Sequence, residues 1–179
     1  MEVKMSSVMW SHIFKKKQSE EERKLQALQS VNIFQGLTAG ELKEVEAATY
    51  TRQYRLGEYI FRKGNPGNGM YIILQGKVII FNDTGSGMEK GNILASVEEG
   101  NFLGEFSLLD EAPRSASAYC SEDTEAITFF RGDLLDILNR KPLLGSKIIL
   151  NVGRALSERL RAANRRLQEC EDRLEHKND

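Results

Sequence analysis

Apolar and polar positions divide the chain into helical ends and a β-rich middle. Between Tyr50 and Phe130, apolar residues alternate with polar ones or form short runs, separated by glycine-bearing turns. The runs predict strands around Tyr54, Tyr59–Phe61, Met70–Leu74, Val78–Phe81, Ile93–Val97, Ser115–Cys120 and Glu125–Phe130. Many short strands of this kind predict a mainly β fold, a jelly-roll-like β-roll (a double-stranded β-helix).

Helical periods flank this middle part on both sides. Helices are expected from Ser19 to about Gln29, from Ala39 to about Thr49, after Asp133 as far as Lys141, and from Leu143 to about His176. Thr38 and Glu41 form a capping-box pattern at the start of the second helix. The chain therefore divides into an N-terminal helical and flexible segment (1–30), a β-roll domain (31–141) and a long C-terminal lid or dimerisation helix (142–179).

The long helix carries a heptad repeat of apolar and small residues. Its members are Ile149, Gly153, Leu156, Leu160, Ala163, Leu167, Cys170 and Leu174. As far as about Leu156, we expect this side to pack on the chain's own barrel. Beyond Ser157 the sequence offers no further domain to cover it, which predicts self-association as a homodimer.

Charge and composition exclude several classes of protein. The net charge is −1, and no basic patch or recognition helix follows the long helix, so direct DNA binding is not expected. Nothing approaches 18 consecutive apolar residues, and the N-terminus lacks the apolar core of a signal peptide. Two cysteines, Cys120 and Cys170, do not form a disulfide framework, which predicts a cytoplasmic protein with reduced thiols.

An apolar patch followed by three lysines lies near the N-terminus, at Met9–Lys17. Contact with a membrane surface is one interpretation. Because the patch is short, a frayed terminus, or a short helix packed on the barrel or on a partner, is the favoured one.

The most informative stretch sets Glu105 and Arg114 nine residues apart among apolar and small residues. Gly104-Glu105 opens a short apolar run that predicts one or two helical turns, and Pro113-Arg114 then returns the chain to a strand. A helix N-terminus, a guanidinium and the hydroxyl of Ser115 together form a pocket for one phosphate. Glu105 accepts but does not donate hydrogen bonds, which suits a sugar diol beside that phosphate.

This stretch, from Leu103 to Ala116, resembles the phosphate-binding cassette of cyclic-nucleotide-binding domains. That family includes the catabolite activator protein and the kinase regulatory subunits, and its cassette reads roughly F-G-E-x-x-L-x-x-x-x-P-R-S/A/T-A. Leu103 stands where an aromatic residue is usual. The resemblance extends from about Val31 to about Leu167.

The resemblance implies a regulatory protein that binds a cyclic nucleotide. The implied ligand-binding residues are Leu103, Gly104, Glu105, Phe106, Ser107, Pro113, Arg114, Ser115 and Ala116. Arg154 and Ser157 are candidates for capping the base from the long helix. The implied ligand is cAMP or cGMP. A threonine after the arginine favours guanine in some members, whereas Ser115 is intermediate and also occurs in members that bind cAMP, so cAMP is the favoured expectation. Closure of the long helix would signal to a separate, unidentified partner protein.

Two alternatives belong to other classes. A metal-dependent enzyme on the related cupin fold would need several histidines on the barrel strands, whereas His12 and His176 lie near the termini. We therefore expect neither catalysis nor a metal. A scaffold that has kept the cassette but lost ligand binding remains open.

Overall fold

Two four-stranded antiparallel sheets form the centre of the computed structural model, which describes residues 20–83 and 92–175. The strands are β1 (Thr49–Tyr54), β2 (Tyr59–Phe61), β3 (Gly69–Gln75), β4 (Lys77–Asn82), β5 (Asn92–Glu98), β6 (Phe102–Leu103), β7 (Ser117–Cys120) and β8 (Thr124–Phe130). One sheet has the order β1-β8-β3-β6 and the other β2-β7-β4-β5. The predicted jelly-roll-like β-roll is confirmed.

Helices precede and follow the strands, as the sequence predicts. They are α1 (20–30), α2 (Ala39–Ala47), α3 (Arg131–Arg140) and α4 (Pro142–Glu175), and a short 3-10 turn, Asn32–Phe34, joins α1 to α2. The capping box of α2 is formed: the Glu41 amide donates to Thr38 Oγ1 at 3.3 Å, and the Thr38 amide donates to Glu41 Oε2 at 2.8 Å.

Strand β3 lies at the centre because both of its faces are buried. Met70 and Ile72 belong to a core between the first sheet and the helices. Tyr71 and Ile73, on the opposite face, belong to a second core between the two sheets. The continuous apolar run at Met70–Leu74 thus reflects burial on two sides, which is the usual reason for a strand without polar alternation.

The two halves of α4 have different surroundings. In the first half, Leu144, Ile148, Val152 and Ala155 are buried against α3, the Asn32–Phe34 turn and the adjoining core. Further along, Leu160 is 63% exposed and Leu167 is 60% exposed. The expected contrast between a packed first half and an uncovered second half is therefore observed.

Several features of the sequence lie outside the described residues. These are the Met9–Lys17 patch, both histidines and the polar, glycine-rich stretch at 84–91. In the described ranges, none of the helices combines the length and apolar character that crossing a bilayer requires. The same ranges contain no group of three or more His, Cys, Asp or Glu side chains that could hold a metal ion. Cys120 is buried, as expected for a strand residue, and Cys170 is exposed.

Candidate ligand-binding site

The segment between β6 and β7 begins with a single 3-10 turn, Glu105–Leu108, as the short apolar run predicts. Gly104 caps the turn in the left-handed region, at φ 80°. A Cβ added to Gly104 would lie 2.6 Å from Arg114 Nη1 and 3.2 Å from the Gly69 carbonyl oxygen. Glycine is therefore required here both by the backbone and by the close approach of the guanidinium.

The main chain around Arg114 is held by a neighbouring loop. The Arg114 amide donates to the Asn65 carbonyl at 2.8 Å, and the Gly64 amide donates to the Arg114 carbonyl at 2.8 Å. Pro113 forms an isolated bridge with Pro66. The chain is thus already extended at Arg114, although the regular strand β7 begins at Ser117 rather than at Ser115.

The Arg114 side chain is built into the structure and is only 6% exposed. Nη2 donates to the Gly69 carbonyl at 2.7 Å and Nη1 to the Gly104 carbonyl at 3.2 Å. The guanidinium carbon lies 4.2 Å from the centre of the Phe61 ring, a cation–π contact. Burial lowers the pKa of Arg114, while Tyr71 and Glu105 oppose that shift. An arginine remains charged under such a shift, so the site contains a fixed cation.

Glu105 is fully buried and is tied to α4. Its Oε1 accepts a hydrogen bond from Arg159 Nη1 at 2.5 Å in an ion pair. Arg159 Nη2 also donates to the Phe102 carbonyl at 3.1 Å, and its guanidinium carbon lies 4.8 Å from the centre of the Phe102 ring. A single arginine thus connects the C-terminal helix to the first residue of the 3-10 turn.

The turn, Arg114 and α4 enclose a cavity of about 430 Å³, a size typical of small-molecule sites. It is lined by Phe61, Ile80, Leu94, Gly104, Glu105, Phe106, Ser107, Asp110, Ala112, Pro113, Arg114, Ser115, Ala116 and Arg159. All the residues predicted from the cassette, except Leu103, therefore meet around one space. Leu103 is buried in the core between the sheets.

Two buried polar atoms on residues of this cavity have no hydrogen-bond partner among the described residues. They are Glu105 Oε2, an acceptor, and Arg114 Nε, a donor. The backbone amides of Glu105 and Phe106 likewise have no acceptor in the described ranges. Buried polar groups are nearly always paired, so a ligand that fits here would donate to a carboxylate and accept from a guanidinium and from amides. A phosphate joined to a ribose hydroxyl has this chemistry.

The two predicted base-capping residues do not line the cavity. Arg154 Nη1 donates to Asn151 Oδ1 at 3.0 Å, and the Ser157 hydroxyl donates to the Gly153 carbonyl at 2.8 Å. In the described structure, the side chain that α4 contributes to the cavity is Arg159. Arg154, Ser157 and Arg159 lie on the same stretch of α4, and the packing that fixes the rotation of the helix decides which of them lines the cavity.

The other lining residues that sequence reasoning missed are three apolar strand residues and two residues of the cassette. Phe61, Ile80 and Leu94 belong to β2, β4 and β5 of one sheet. Their hydrophobic character predicts burial but does not indicate which of the two sheet faces they occupy. Asp110 and Ala112 lie within the cassette itself. Their closeness in sequence to Arg114 could have indicated that they line the same cavity.

A second cavity of about 620 Å³ lies beside the first and shares Ile80 and Arg159 with it. Its walls come from one side of α4, from β5, from Ile80 of β4 and from the start of β6, and small residues lie on both α4 and β5. They include Ala95, Ser96, Ala162 and Ala163. The side chain of Arg159 thus lies at the boundary between two adjoining spaces.

The fold and the site together define a cyclic nucleotide-binding domain. The model of the cyclic nucleotide-binding domain family matches residues 51–141, and the chain belongs to this family. The cyclic AMP receptor protein of Thermus thermophilus is 38% identical over 132 residues, which are 74% of this chain and 58% of that protein. This chain thus spans less than two thirds of that relative's length.

Two solved structures show the same fold. The crystal structure of the catabolite activator protein of Thermus thermophilus matches with a TM-score of 0.67 and 36% identity, covering 77% of this chain and 62% of that chain. A cyclic nucleotide-binding domain from Methylobacillus flagellatus matches with a TM-score of 0.70 and 25% identity, covering 84% of this chain and 83% of that chain.

Proposed function

We propose that the protein is a sensor that binds a cyclic nucleotide, with cAMP as its ligand, and signals through the position of α4. The observation that carries this proposal is the pair of unpartnered buried atoms, Glu105 Oε2 and Arg114 Nε, on residues of one cavity. An unpaired buried polar group costs about 1–3 kcal/mol. A cyclic nucleotide offers a partner to each of them at once.

The phosphate is bound by three kinds of donor. Arg114 supplies charge-assisted hydrogen bonds, the amides of Glu105 and Phe106 lie at the start of the 3-10 turn, and Ser115 adds a hydroxyl. Gly104, which has no side chain, lets the Arg114 guanidinium lie against the turn beside these amides.

The ribose is bound by Glu105. Since Oε1 is already held by Arg159, the 2′-hydroxyl donates to Oε2. Arg159 therefore orients the carboxylate for the ligand and covers the site from the side of α4. Ligand binding strengthens the link between the cassette and α4, which shifts the population of α4 toward this closed position.

The base occupies the second cavity, because that space adjoins the first along Ile80 and Arg159. Small side chains on β5 and α4 leave room there for a flat ring. Arg154 and Ser157 have no direct contact with the base in this proposal. The preference for cAMP rests on Ser115 and on the similarity to a protein named cyclic AMP receptor protein.

Ligand screening by thermal shift tests the proposal. At one hundred times its dissociation constant, a ligand that binds only the folded state stabilises it by about 2.7 kcal/mol. We expect cAMP to raise the melting temperature at lower concentrations than cGMP, and 5′-AMP, which lacks the cyclic phosphate diester, to have little effect. The screen includes cyclic dinucleotides as larger ligands with the same phosphate chemistry.

A ligand-free scaffold is the second candidate function. The ion pair between Glu105 and Arg159 favours it, because that pair holds α4 on the cassette without any ligand. If no cyclic nucleotide changes the melting temperature or gives heat in calorimetry, the scaffold replaces the sensor. Direct DNA binding by this chain is not part of either proposal.

We further propose that the second half of α4 pairs with a second copy of the chain, through which its movement reaches a separate partner protein. Leu160 and Leu167 are exposed seven residues apart on one face, beside the exposed Ala163. Arg159 lies off this face and lines the nucleotide cavity instead. Ala163 lines the second cavity, but Leu160 and Leu167 line neither cavity, so substitutions at these two leucines separate pairing from ligand binding.

Light scattering tests this pairing. Wild-type protein is expected at twice the chain mass of 20.3 kDa, and the double variant Leu160→Glu, Leu167→Glu at the mass of one chain, because four like charges would meet in the interface. Gln168→Glu, an added charge on the exposed surface of the same helix, is the matched control and should remain dimeric. Truncation after Ser157 should also give monomers. A dimeric double variant would place the interface elsewhere.

A further inference from the structure

Asn151 is a buried polar residue on the otherwise apolar inner side of α4, and it is 7% exposed. Its Nδ2 donates to the Ile33 carbonyl at 3.0 Å and to the Gln35 carbonyl at 2.9 Å. Both carbonyls belong to the turn that joins α1 to α2. A single side chain thus connects α4 to the N-terminal helices across more than a hundred residues of sequence.

The orientation of the Asn151 amide is also fixed. Its Oδ1 accepts a hydrogen bond from Arg154 Nη1 at 3.0 Å, which leaves Nδ2 directed at the two carbonyls. Arg154, predicted from the sequence as a base cap, instead supports this contact.

Through the buried side chain of Asn151, the first half of α4 is hydrogen-bonded to the turn. The apolar stripe around Ile148 and Val152 packs the helix onto the core, and the hydrogen bonds of Asn151 add a directional restraint to that packing. Two hydrogen bonds to carbonyls at fixed positions restrict both rotation and sliding of the helix, since such bonds weaken steeply when the angle is poor.

The rotation of α4 decides where Arg159 lies. Arg159 follows Asn151 by eight positions, about 12 Å along the helix axis. With a side-chain radius of about 5–6 Å, a rotation of about 30° displaces the side chain by about 3 Å. A displacement of that size separates Arg159 from Glu105 Oε1.

We propose that Asn151 is a positioning residue for nucleotide binding: it sets the rotation of α4, and thereby places Arg159 on Glu105. The proposal rests on the proposed function of the cavity. It predicts that nucleotide affinity depends on a residue that does not line the cavity, and that this dependence passes through Arg159.

A double-mutant cycle tests the proposal by calorimetry with cAMP. Arg159→Gln should weaken binding about tenfold, the size expected for losing a hydrogen bond between charged groups. Asn151→Leu, which removes both donors and keeps the number and branching of the side-chain heavy atoms, should weaken it by a similar factor. The double variant should bind about as weakly as Arg159→Gln alone, because the Arg159–Glu105 contact can be lost only once. Independent factors that multiply, or unchanged affinity in Asn151→Leu, would overturn the proposal.

Two further variants serve as a packing control and as a replacement for Asn151→Leu. Ile148→Val removes packing from the same helix without removing a hydrogen bond, so it should lower the melting temperature and leave the affinity for cAMP unchanged. Asn151→Asp keeps the size of the side chain and loses the amide donors, and it replaces Asn151→Leu if that variant does not fold.

Hydrogen exchange without ligand separates this inference from the proposed function. Asn151→Leu and Arg159→Gln should both accelerate amide exchange in residues 102–109, whereas Ile148→Val should not. If the wild-type protein binds no cyclic nucleotide, the proposed function fails, and this exchange pattern alone supports the positioning role. Unchanged exchange at 102–109 in Asn151→Leu contradicts that role whether or not the wild type binds.

Discussion

Replacing Arg114 with alanine is expected to weaken cAMP binding by at least about 100-fold. The guanidinium is the buried cation of the cavity, and its Nε is without a partner in the described structure. Charge-assisted hydrogen bonds contribute about 1.5–3 kcal/mol each, and about 1.4 kcal/mol changes a dissociation constant tenfold. Losing two such bonds to the phosphate accounts for the expected factor, which calorimetry or a competition assay measures.

The Arg114 variants need controls for stability, because this side chain also supports the fold. Its bonds to the carbonyls of Gly69 and Gly104 would be lost with it, so unfolding without ligand must be measured beside binding. Arg114→Lys keeps the charge but loses the planar fork, and an intermediate loss of affinity is expected. Arg62→Ala is the matched control: this arginine stacks on Tyr59 at 3.5 Å and does not line the cavity.

A folded Arg114→Ala variant that retains full affinity for cAMP would remove this residue from the site. The proposed phosphate position would then be wrong, even if the protein binds nucleotides. A wild-type protein that fails to bind, by contrast, would favour the scaffold. The two outcomes therefore lead to different conclusions.

The sequence predicts the part of the site whose residues lie close together along the chain. Gly104, Glu105 and Arg114 lie within one short stretch, where turn, glycine and strand follow from neighbouring residues. The strands around it were also predictable. The run at Met70–Leu74 is apolar because the strand is buried, and glycines mark the turns beside it. Strand β7 begins at Ser117, two residues later than predicted. The chain before it is extended, but its bridge between Pro113 and Pro66 is isolated from the regular strand pairing.

The contribution of α4 could not be predicted in the same way. An amphipathic pattern predicts that a helix packs against a core, but it does not identify which polar residue beside the apolar stripe reaches a cavity. Arg154, Ser157 and Arg159 lie within six positions of one another and were all candidates by position. Which of them reaches the cavity depends on the packing of α4 and on the Asn151 contact with a distant turn. Such contacts between distant segments leave no local pattern in a single sequence.

The site also shows a conflict between stability and binding. A fold optimised for stability alone would pair Glu105 Oε2 and Arg114 Nε, or replace both residues with apolar ones. Gly104 adds the entropic cost of a flexible residue held at positive φ. The two unpaired atoms are unfavourable without a ligand and gain partners with an anion and a hydroxyl in the cavity, which is the arrangement expected of a binding site.

Replacing Glu105 with glutamine is expected to weaken cAMP binding by about 10- to 100-fold and 2′-deoxy-cAMP binding by a smaller factor, because both ligands lose the charged link to Arg159 and only cAMP also loses the ribose contact. The carboxylate accepts from Arg159 through Oε1 and has Oε2 free for the ribose. An amide has one acceptor oxygen, so it cannot serve both donors, and its NH₂ group would face either Arg159 or the 2′-hydroxyl. A hydrogen bond to a charged group contributes about 1.5–3 kcal/mol, which sets the expected range.

The two ligands and two proteins form a cycle that isolates the contact between Glu105 and the ribose. Wild-type protein should prefer cAMP over its 2′-deoxy analogue by the factor by which Glu105→Gln loses more affinity for cAMP than for the analogue, and the variant should no longer distinguish them. Glu111→Gln is the matched control, because Glu111 lies in the same loop, pairs with Arg131 at 2.8 Å and does not line the cavity. If Glu105→Gln weakens both ligands equally, the carboxylate acts by holding Arg159 and α4 in place rather than by accepting from the ribose.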